Sequence, residues 1–105
     1  MIEYKHEDGS LICTIQEEIV ASKIPEMRDN LASYLDYNKN WTELVFDCRN
    51  VKTLDSIGVN FIVGAFKKAQ VSKRVFKLTE CNHSVAKVLK LFKLDKKFEI
   101  VLAEG

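Results

Sequence analysis

Apolar residues recur along the chain at two spacings, and these spacings predict an alternation of strands and helices. Short apolar and β-branched runs predict strands at 2–6, 11–16, 43–48, 75–79 and 98–101. The Asp8-Gly9 pair between the first two runs is a hairpin signal, because glycine adopts positive φ without steric cost. The run at 11–16 is almost continuously apolar, which predicts a strand covered on both faces.

Three segments between these strands carry apolar residues every three or four positions, as helices do. The first begins near Ser22, the second covers about 58–71 and the third covers about 83–93. Pro25 is tolerated in the opening turn of the first helix, and Asn82 or Ser84 is expected to cap the third. Gly64 lies inside the second helix, where glycine costs about 1 kcal/mol relative to alanine. We therefore expect a close packing approach at Gly64.

The order ββαβαβαβ predicts one α/β domain, residues 1–105, with a mostly parallel sheet. A chain of 105 residues is long enough for one modest core. No apolar run approaches the roughly 20 residues that span a bilayer, and the N-terminus lacks the features of a secretory signal. We expect a cytoplasmic protein without an integral membrane segment.

Charge is balanced overall and uneven along the chain. The net charge of +1 argues against a dedicated nucleic-acid binder. Residues 1–50 hold five bases and ten acids, a net −5, whereas residues 51–105 hold eleven bases and five acids, a net +6. The clustered cations are Lys67, Lys68, Lys73, Arg74, Lys77, Lys87, Lys90, Lys93, Lys96 and Lys97. They form either a solvated face of two helices or a steering surface for an acidic partner.

Residues with catalytic or metal-binding chemistry are few and scattered. The three cysteines are Cys13, Cys48 and Cys81. They lack C-x-x-C spacing and are expected to be small buried hydrophobes. No phosphate-binding loop or nucleophile elbow is present, so the sequence predicts no enzyme, no cofactor and no metal site. An enzyme centred on Cys81, beside Asn82 and His83, is a weak alternative.

The stretch from Thr53 to Val59 follows the third strand and leads into the second helix. A short polar residue before a helix accepts a hydrogen bond from the free amides of the first turn. The same amides and the helix dipole favour a phosphoryl group. Ser56 is therefore expected either to cap the helix or to carry a phosphate. Asp55 is expected to bond local backbone amides in the turn.

Three stretches resemble the STAS domain, the family of bacterial anti-sigma-factor antagonists: 11–19, 44–59 and 88–100. The first is similar to the family's apolar strand ending in Gly-Glu-Leu-Asp. The second resembles the strand, turn and Asp-Ser-Ser-Gly-Leu helix start that hold the family's phosphorylation site. The third resembles its closing helix and strand, although the family usually has glycine where this chain has Lys93. The resemblance implies a mixed sheet of four to five strands with helices mainly on one face.

The resemblance also implies a function. Such domains are not enzymes but dock on a partner, typically a serine kinase that is also an anti-sigma factor. Phosphorylation of a hydroxyl immediately before the glycine then releases that partner. Here that position is Ile57, which cannot accept a phosphoryl group, and Val20 replaces a nearby acidic residue. We therefore expect a domain that docks without the usual switch.

The predicted docking surface lies around residues 54–62. Its residues are Val20, Asp55, Ser56, Ile57, Gly58, Val59 and Asn60. One alternative is a conventional antagonist that is phosphorylated on Ser56. Others are a STAS subunit of a transport or sensory complex, or a small-ligand domain. The resemblance leaves open whether the chain works alone or as a homo-dimer.

Overall fold

The computed structural model describes residues 1–104, and within them it contains five strands and three α-helices. They are β1 (Ile2–Glu7), β2 (Ser10–Ile15), α1 (Ile24–Tyr37), β3 (Glu43–Asp47), α2 (Ser56–Val71), β4 (Val75–Cys81), α3 (His83–Leu91) and β5 (Glu99–Leu102). The predicted order of elements is confirmed. A 3-10 turn, Ala21–Lys23, precedes α1, and Pro25 lies in its first turn as expected.

The strands lie in the sheet in the order in which they occur along the chain, from β1 to β5. The β1–β2 hairpin is antiparallel and every later pair is parallel, so the predicted mixed sheet is confirmed. Each helix returns the chain from the carboxyl end of one parallel strand to the amino end of the next. We call the edge of the sheet where the parallel strands end the carboxyl edge, and the opposite edge, where they begin, the amino edge.

The helices cover one face of the sheet, as predicted. Leu11, Cys13 and Ile15 of β2 are buried in the same cluster as the apolar residues of all three helices. Ile12 and Thr14, between them, are only half-buried and lie on the other face. The prediction that β2 is covered on both faces is therefore wrong. The sequence hides the alternation of buried and exposed residues in β2, because Ile12 is apolar although it lies on the open face. β-Branched residues suit the pleated surface of a strand even where they are partly exposed.

Aromatic side chains connect the strands to the last loop. Phe46 of β3 is buried and meets Phe76 of β4 edge-on, with ring centroids 5.1 Å apart. Phe76 in turn meets Phe98, just before β5, at 4.9 Å. Edge-to-face contacts of this kind add to the stabilisation from area burial alone. They fix the segment after α3 against the centre of the sheet.

The two glycines of α2 have opposite surroundings. A Cβ at Gly64 would have no heavy atom within 4 Å, so the close approach predicted there is wrong. The close approach occurs instead at Gly58, in the first turn of the helix. Gly64 lies beside an open groove between α1 and α2, which the spacing of apolar residues does not reveal. Among residues 1–104, no helix is long and apolar enough to cross a membrane.

Candidate functional site

Two loops meet at the carboxyl edge, one after β2 and one after β3. Ile19 and Leu54 pair in a single parallel bridge, and the Asp55 amide donates to the Ile19 carbonyl at 3.4 Å. The loops are adjacent because β2 and β3 are parallel neighbours whose carboxyl ends coincide. This contact places residues 16–21 against the start of α2.

Asp55 caps α2 and also holds the loop that follows β2. Its Oδ1 accepts a hydrogen bond from the Gly58 amide at 2.7 Å, and its Oδ2 accepts one from the Ala21 amide at 2.9 Å. These amides, Ala21 foremost and Gly58 next, hold the pKa of the Asp55 carboxyl below its usual value. The local bonding predicted for Asp55 is confirmed.

The prediction that Ser56 caps the helix is wrong. Asp55 has the extended backbone of an N-cap residue, whereas Ser56 is already the first residue of α2. Ser56 is exposed, and its hydroxyl forms no hydrogen bond within residues 1–104. Two adjacent residues in the sequence were both suitable caps, and the backbone position decides between them.

Gly58 is required by the contact between the two loops. A Cβ at this position would lie 1.9 Å from the Ile19 carbonyl oxygen and 2.9 Å from a methyl carbon of Leu54. Only glycine allows a helix to approach a neighbouring backbone so closely. The first turn of α2 therefore rests directly on the loop after β2.

Glu18 makes a second connection that the sequence did not indicate. Its Oε1 accepts hydrogen bonds from the Lys52 and Thr53 amides, both at 2.7 Å, and from the Thr53 hydroxyl at 3.2 Å. The carboxylate thereby supplies the hydrogen-bond acceptor that these two loop amides would otherwise lack. A glutamate in a loop shows no periodicity, so only the fold identifies its partners.

The residues predicted for docking differ in accessibility. Ile57 is 45% exposed, Ser56 and Asn60 are exposed, and Val20 is half-buried. Gly58 and Val59 are buried, so they support this surface from beneath and do not form it. The carboxyl edge therefore presents an exposed isoleucine on the first turn of a capped helix.

An open groove of about 490 Å³ runs between α1 and α2 and ends at Ile57. Its lining includes Arg28, Leu31, Leu35, Ile57, Phe61, Gly64 and Lys68. The floor is apolar, and two cations lie among the lining residues. The sequence does not reveal this groove, because its width depends on the distance between the two helices beside Gly64.

The remaining reactive side chains are sequestered. All three thiols are buried, as predicted, and burial raises the pKa of Cys13 to about 12. The neighbouring Cys48 thiol holds the pKa of the Cys81 thiol below its usual value. Asn82 caps α3 through the Val85 amide at 2.8 Å, as predicted. Across residues 1–104, no three His, Cys, Asp or Glu side chains are grouped to hold a metal ion.

The profile of the STAS domain family matches residues 1–105. The chain belongs to the STAS domain family. The resemblance identified from the three stretches is thereby confirmed. Anti-sigma-factor antagonists of this family are regulatory proteins rather than catalysts.

Solved structures show the same STAS fold. A candidate anti-sigma factor antagonist from Thermotoga maritima is 24% identical, with a TM-score of 0.86 over 95% of this chain and 85% of that one. An anti-sigma factor antagonist from Mycobacterium paratuberculosis is 19% identical, with a TM-score of 0.83 over 96% and 84%. The antagonist SpoIIAA in its unphosphorylated form is 13% identical, with a TM-score of 0.76 over 95% and 87%. The fold is therefore that of anti-sigma-factor antagonists.

Proposed function

We propose that this STAS domain is a non-enzymatic regulatory module that docks on a protein partner of the serine kinase and anti-sigma factor type. The docking surface is the start of α2, around residues 54–62, together with Val20. The observation that supports this proposal is the exposure of Ile57, 45%, immediately before Gly58. By the resemblance described above, that position carries the family's phosphorylated hydroxyl.

The geometry of the helix start suits a docking surface. Asp55 and Gly58 fix the first turn of α2 against the loop after β2, so Ile57 is presented on a backbone that is already ordered. A preordered contact loses little conformational entropy on binding. Burial of the exposed part of Ile57 contributes roughly 25 cal/mol per Å² of apolar surface.

The absence of a hydroxyl at Ile57 removes the usual means of release. A phosphate would bring about two negative charges into the interface, together with a large desolvation cost. Isoleucine offers no acceptor for it. The domain therefore stays competent to bind, and only the concentrations of the domain and its partner set the fraction that is bound.

The test uses an ATP-dependent serine kinase of the anti-sigma type from the same organism. We expect the kinase to bind the wild-type domain, and intact mass to show no added phosphate after incubation with ATP. Ile57→Asp should weaken binding about tenfold or more, because a desolvated charge enters the interface. Ile57→Ser should restore both the acceptor and ATP-dependent release.

Val75→Asp is the matched control, because Val75 is 58% exposed at the start of β4, at the amino edge and so opposite to Ile57. It should bind the kinase like wild type. Equal loss of binding in Val75→Asp and Ile57→Asp would contradict the proposed surface. Stoichiometric phosphate on Ser56 of the wild-type domain would contradict the absence of a switch.

A conventional antagonist regulated at Ser56 is the second candidate function. It is favoured by one observation: because Asp55 caps α2, the Ser56 hydroxyl is exposed and free of hydrogen bonds within residues 1–104. A regulated domain should bind the kinase as Ser56→Ala and lose it as Ser56→Asp. Because Ser56 adjoins Ile57 on the same surface, phosphate uptake separates the two candidates better than binding of Ser56→Asp does. With kinase and ATP, a domain regulated at Ser56 gains one phosphate that Ser56→Ala abolishes, whereas under the first proposal the wild-type domain gains none.

A further inference from the structure

Five large apolar side chains project into solvent at the amino edge, opposite to Ile57. They are Tyr37, Val71, Val75, Leu91 and Phe92. Tyr37, Val71 and Leu91 are the most exposed, at 88%, 84% and 71%, and each is the last residue of its helix. Single exposed apolar residues need no explanation, but a contiguous group of them does.

Contacts between loops bring the ends of α1 and α2 together at this edge. The Val75 amide donates to the Thr42 carbonyl at 3.0 Å, and the Arg74 guanidinium donates to the Lys39 carbonyl at 2.9 Å. The same guanidinium stacks on Trp41, 4.1 Å from the ring centroid. The loop after α1 is thereby joined to the loop after α2.

The loop after α3 adjoins the same region. Lys77 of β4 lies opposite Glu99 of β5, so the start of β4 at Val75 is level with Lys97. We call the surface formed by residues 37–42, 71–75 and 90–97 the edge patch. It borders the amino ends of β3, β4 and β5.

The edge patch is strongly cationic. Its cations are Lys39, Lys73, Arg74, Lys90, Lys93, Lys96 and Lys97, and its one acid is Asp95. None of these cations forms a salt bridge with another residue of the described chain. The exposed acids Asp8 and Asp36 border the patch, but within it seven cations face one acid, so its net potential is positive.

We propose that the edge patch binds the surface of bilayers that contain anionic lipids. The apolar tips enter the boundary between headgroups and acyl chains, where Tyr37 also finds polar partners for its hydroxyl. The lysines extend toward lipid phosphates, since their long aliphatic stems allow the charged ends to reach the headgroups. Binding is peripheral and involves no spanning segment.

The distribution of residues favours a lipid surface over an acidic protein. Lysine is depleted from the cores of protein–protein interfaces, because its strongly hydrated ammonium group is costly to bury. In the edge patch, lysines lie between the exposed apolar side chains, so a protein partner that covered the apolar side chains would also have to bury the lysines. A bilayer accepts each tip separately while every lysine keeps contact with water and phosphate.

This inference does not depend on the proposed function, because the edge patch and Ile57 lie at opposite edges of the sheet. A domain held to a membrane by the edge patch would present the start of α2 away from the bilayer. Membrane attachment and partner docking are therefore compatible. Each can fail without affecting the other.

The test is sedimentation of the purified domain with vesicles of phosphatidylcholine alone or with about 30% phosphatidylglycerol, at about 0.05 M salt. We expect about tenfold stronger partitioning to the anionic vesicles and its loss at about 0.5 M salt. Two triple variants should each reduce partitioning about tenfold. One removes apolar side chains, Tyr37→Ser/Val71→Ser/Leu91→Ser. The other reverses the charge of three lysines, Lys90→Glu/Lys96→Glu/Lys97→Glu.

Lys5→Glu/Arg28→Glu/Lys52→Glu is the matched control, because it makes the same change in net charge at exposed residues outside the edge patch. The proposal predicts that it partitions within about twofold of wild type, because the lost cations lie outside the edge patch. Circular dichroism should confirm that all three triple variants fold. Equal partitioning to both kinds of vesicle, equal loss in the control variant, or a dimer that dissociates in the apolar variant would overturn the proposal.

Discussion

Gly58 packs so closely on the carbonyl oxygen of Ile19 that a Cβ at position 58 would lie 1.9 Å from it. This contact joins the first turn of α2 to the loop after β2. Asp55 reinforces it from the side by accepting hydrogen bonds from both segments. The carboxyl edge is therefore one connected unit, and the exposure of Ile57 follows from how that unit is built.

The two glycines of α2 should respond to alanine in opposite ways. Gly58→Ala forces the helix away from Ile19, and we expect it to lower the free energy of unfolding by about 1–3 kcal/mol. Gly64→Ala should raise it by up to about 1 kcal/mol, because alanine is the better helix former and nothing lies within 4 Å of its Cβ. Urea denaturation measures both.

This pair provides its own control, since the same substitution is made twice in one helix. Similar destabilisation in both variants would show that the close contact is not specific to Gly58. Circular dichroism of the folded variants should remain like that of wild type. A change there for Gly64→Ala would contradict the open surroundings of that residue.

Stability in acid should depend on Asp55. Because the Asp55 pKa is lowered in the folded protein, the ionised carboxylate stabilises the fold above its unfolded pKa of about 3.9. That contribution is lost as the pH falls through the lower folded value. Asp55→Asn can still cap α2 but loses one acceptor for the Ala21 amide. Its melting temperature should therefore fall less steeply than that of wild type below about pH 4.

Asp29→Asn is the comparison for this experiment. Asp29 is exposed on α1, and its side chain forms no hydrogen bond within residues 1–104. The pH dependence of its melting temperature should match that of wild type. If Asp29→Asn and Asp55→Asn behave alike, the loss of a carboxylate in general, and not the bonds of Asp55, explains the result.

Glu18 should control the mobility of residues 52–53. Glu18→Ala removes the acceptor of two amides and one hydroxyl, and we expect hydrogen exchange at Lys52 and Thr53 to accelerate about tenfold. Exchange in the centre of β3 should not change. Glu26→Ala, on the exposed part of α1, should leave Lys52 and Thr53 unaffected. Acceleration throughout the sheet would indicate global destabilisation instead.

Periodicity predicted the elements of this fold well, because the three helices bury apolar stripes and β2 and β4 bury alternate residues on one core. It failed where a residue's surroundings depend on how neighbouring elements pack. Ile12 is apolar although it lies on the open face, and Ser56 adjoins the residue that actually caps α2. Gly64 borders a groove and not a contact. Sequence spacing records which residues share a face, but not the distance to the neighbouring element.

The candidate site was located by resemblance more than by periodicity. Ile57 and Val20 lie at the same edge, as the motif order implied, yet Val59 and Gly58 are buried. Helical spacing by itself predicts an inward Val59, which continues the apolar stripe through Ile62, and the structure confirms that burial. Neither periodicity nor the family resemblance indicates Glu18, because its three partners follow from loop geometry alone.

Lys93 follows the C-terminal end of α3 and has a left-handed backbone, with φ of 60° and ψ of 27°. Its amide donates to the Lys90 carbonyl at 2.9 Å, which ends the helix. Side chains are strained in this conformation and glycine is not, which agrees with the glycine that the family usually has here. Lys93→Gly should therefore raise the free energy of unfolding by about 1 kcal/mol, measured by urea denaturation. Lys97→Gly, at a φ of −102°, should lower it. Stabilisation by both substitutions would mean that the strain at Lys93 is not the cause.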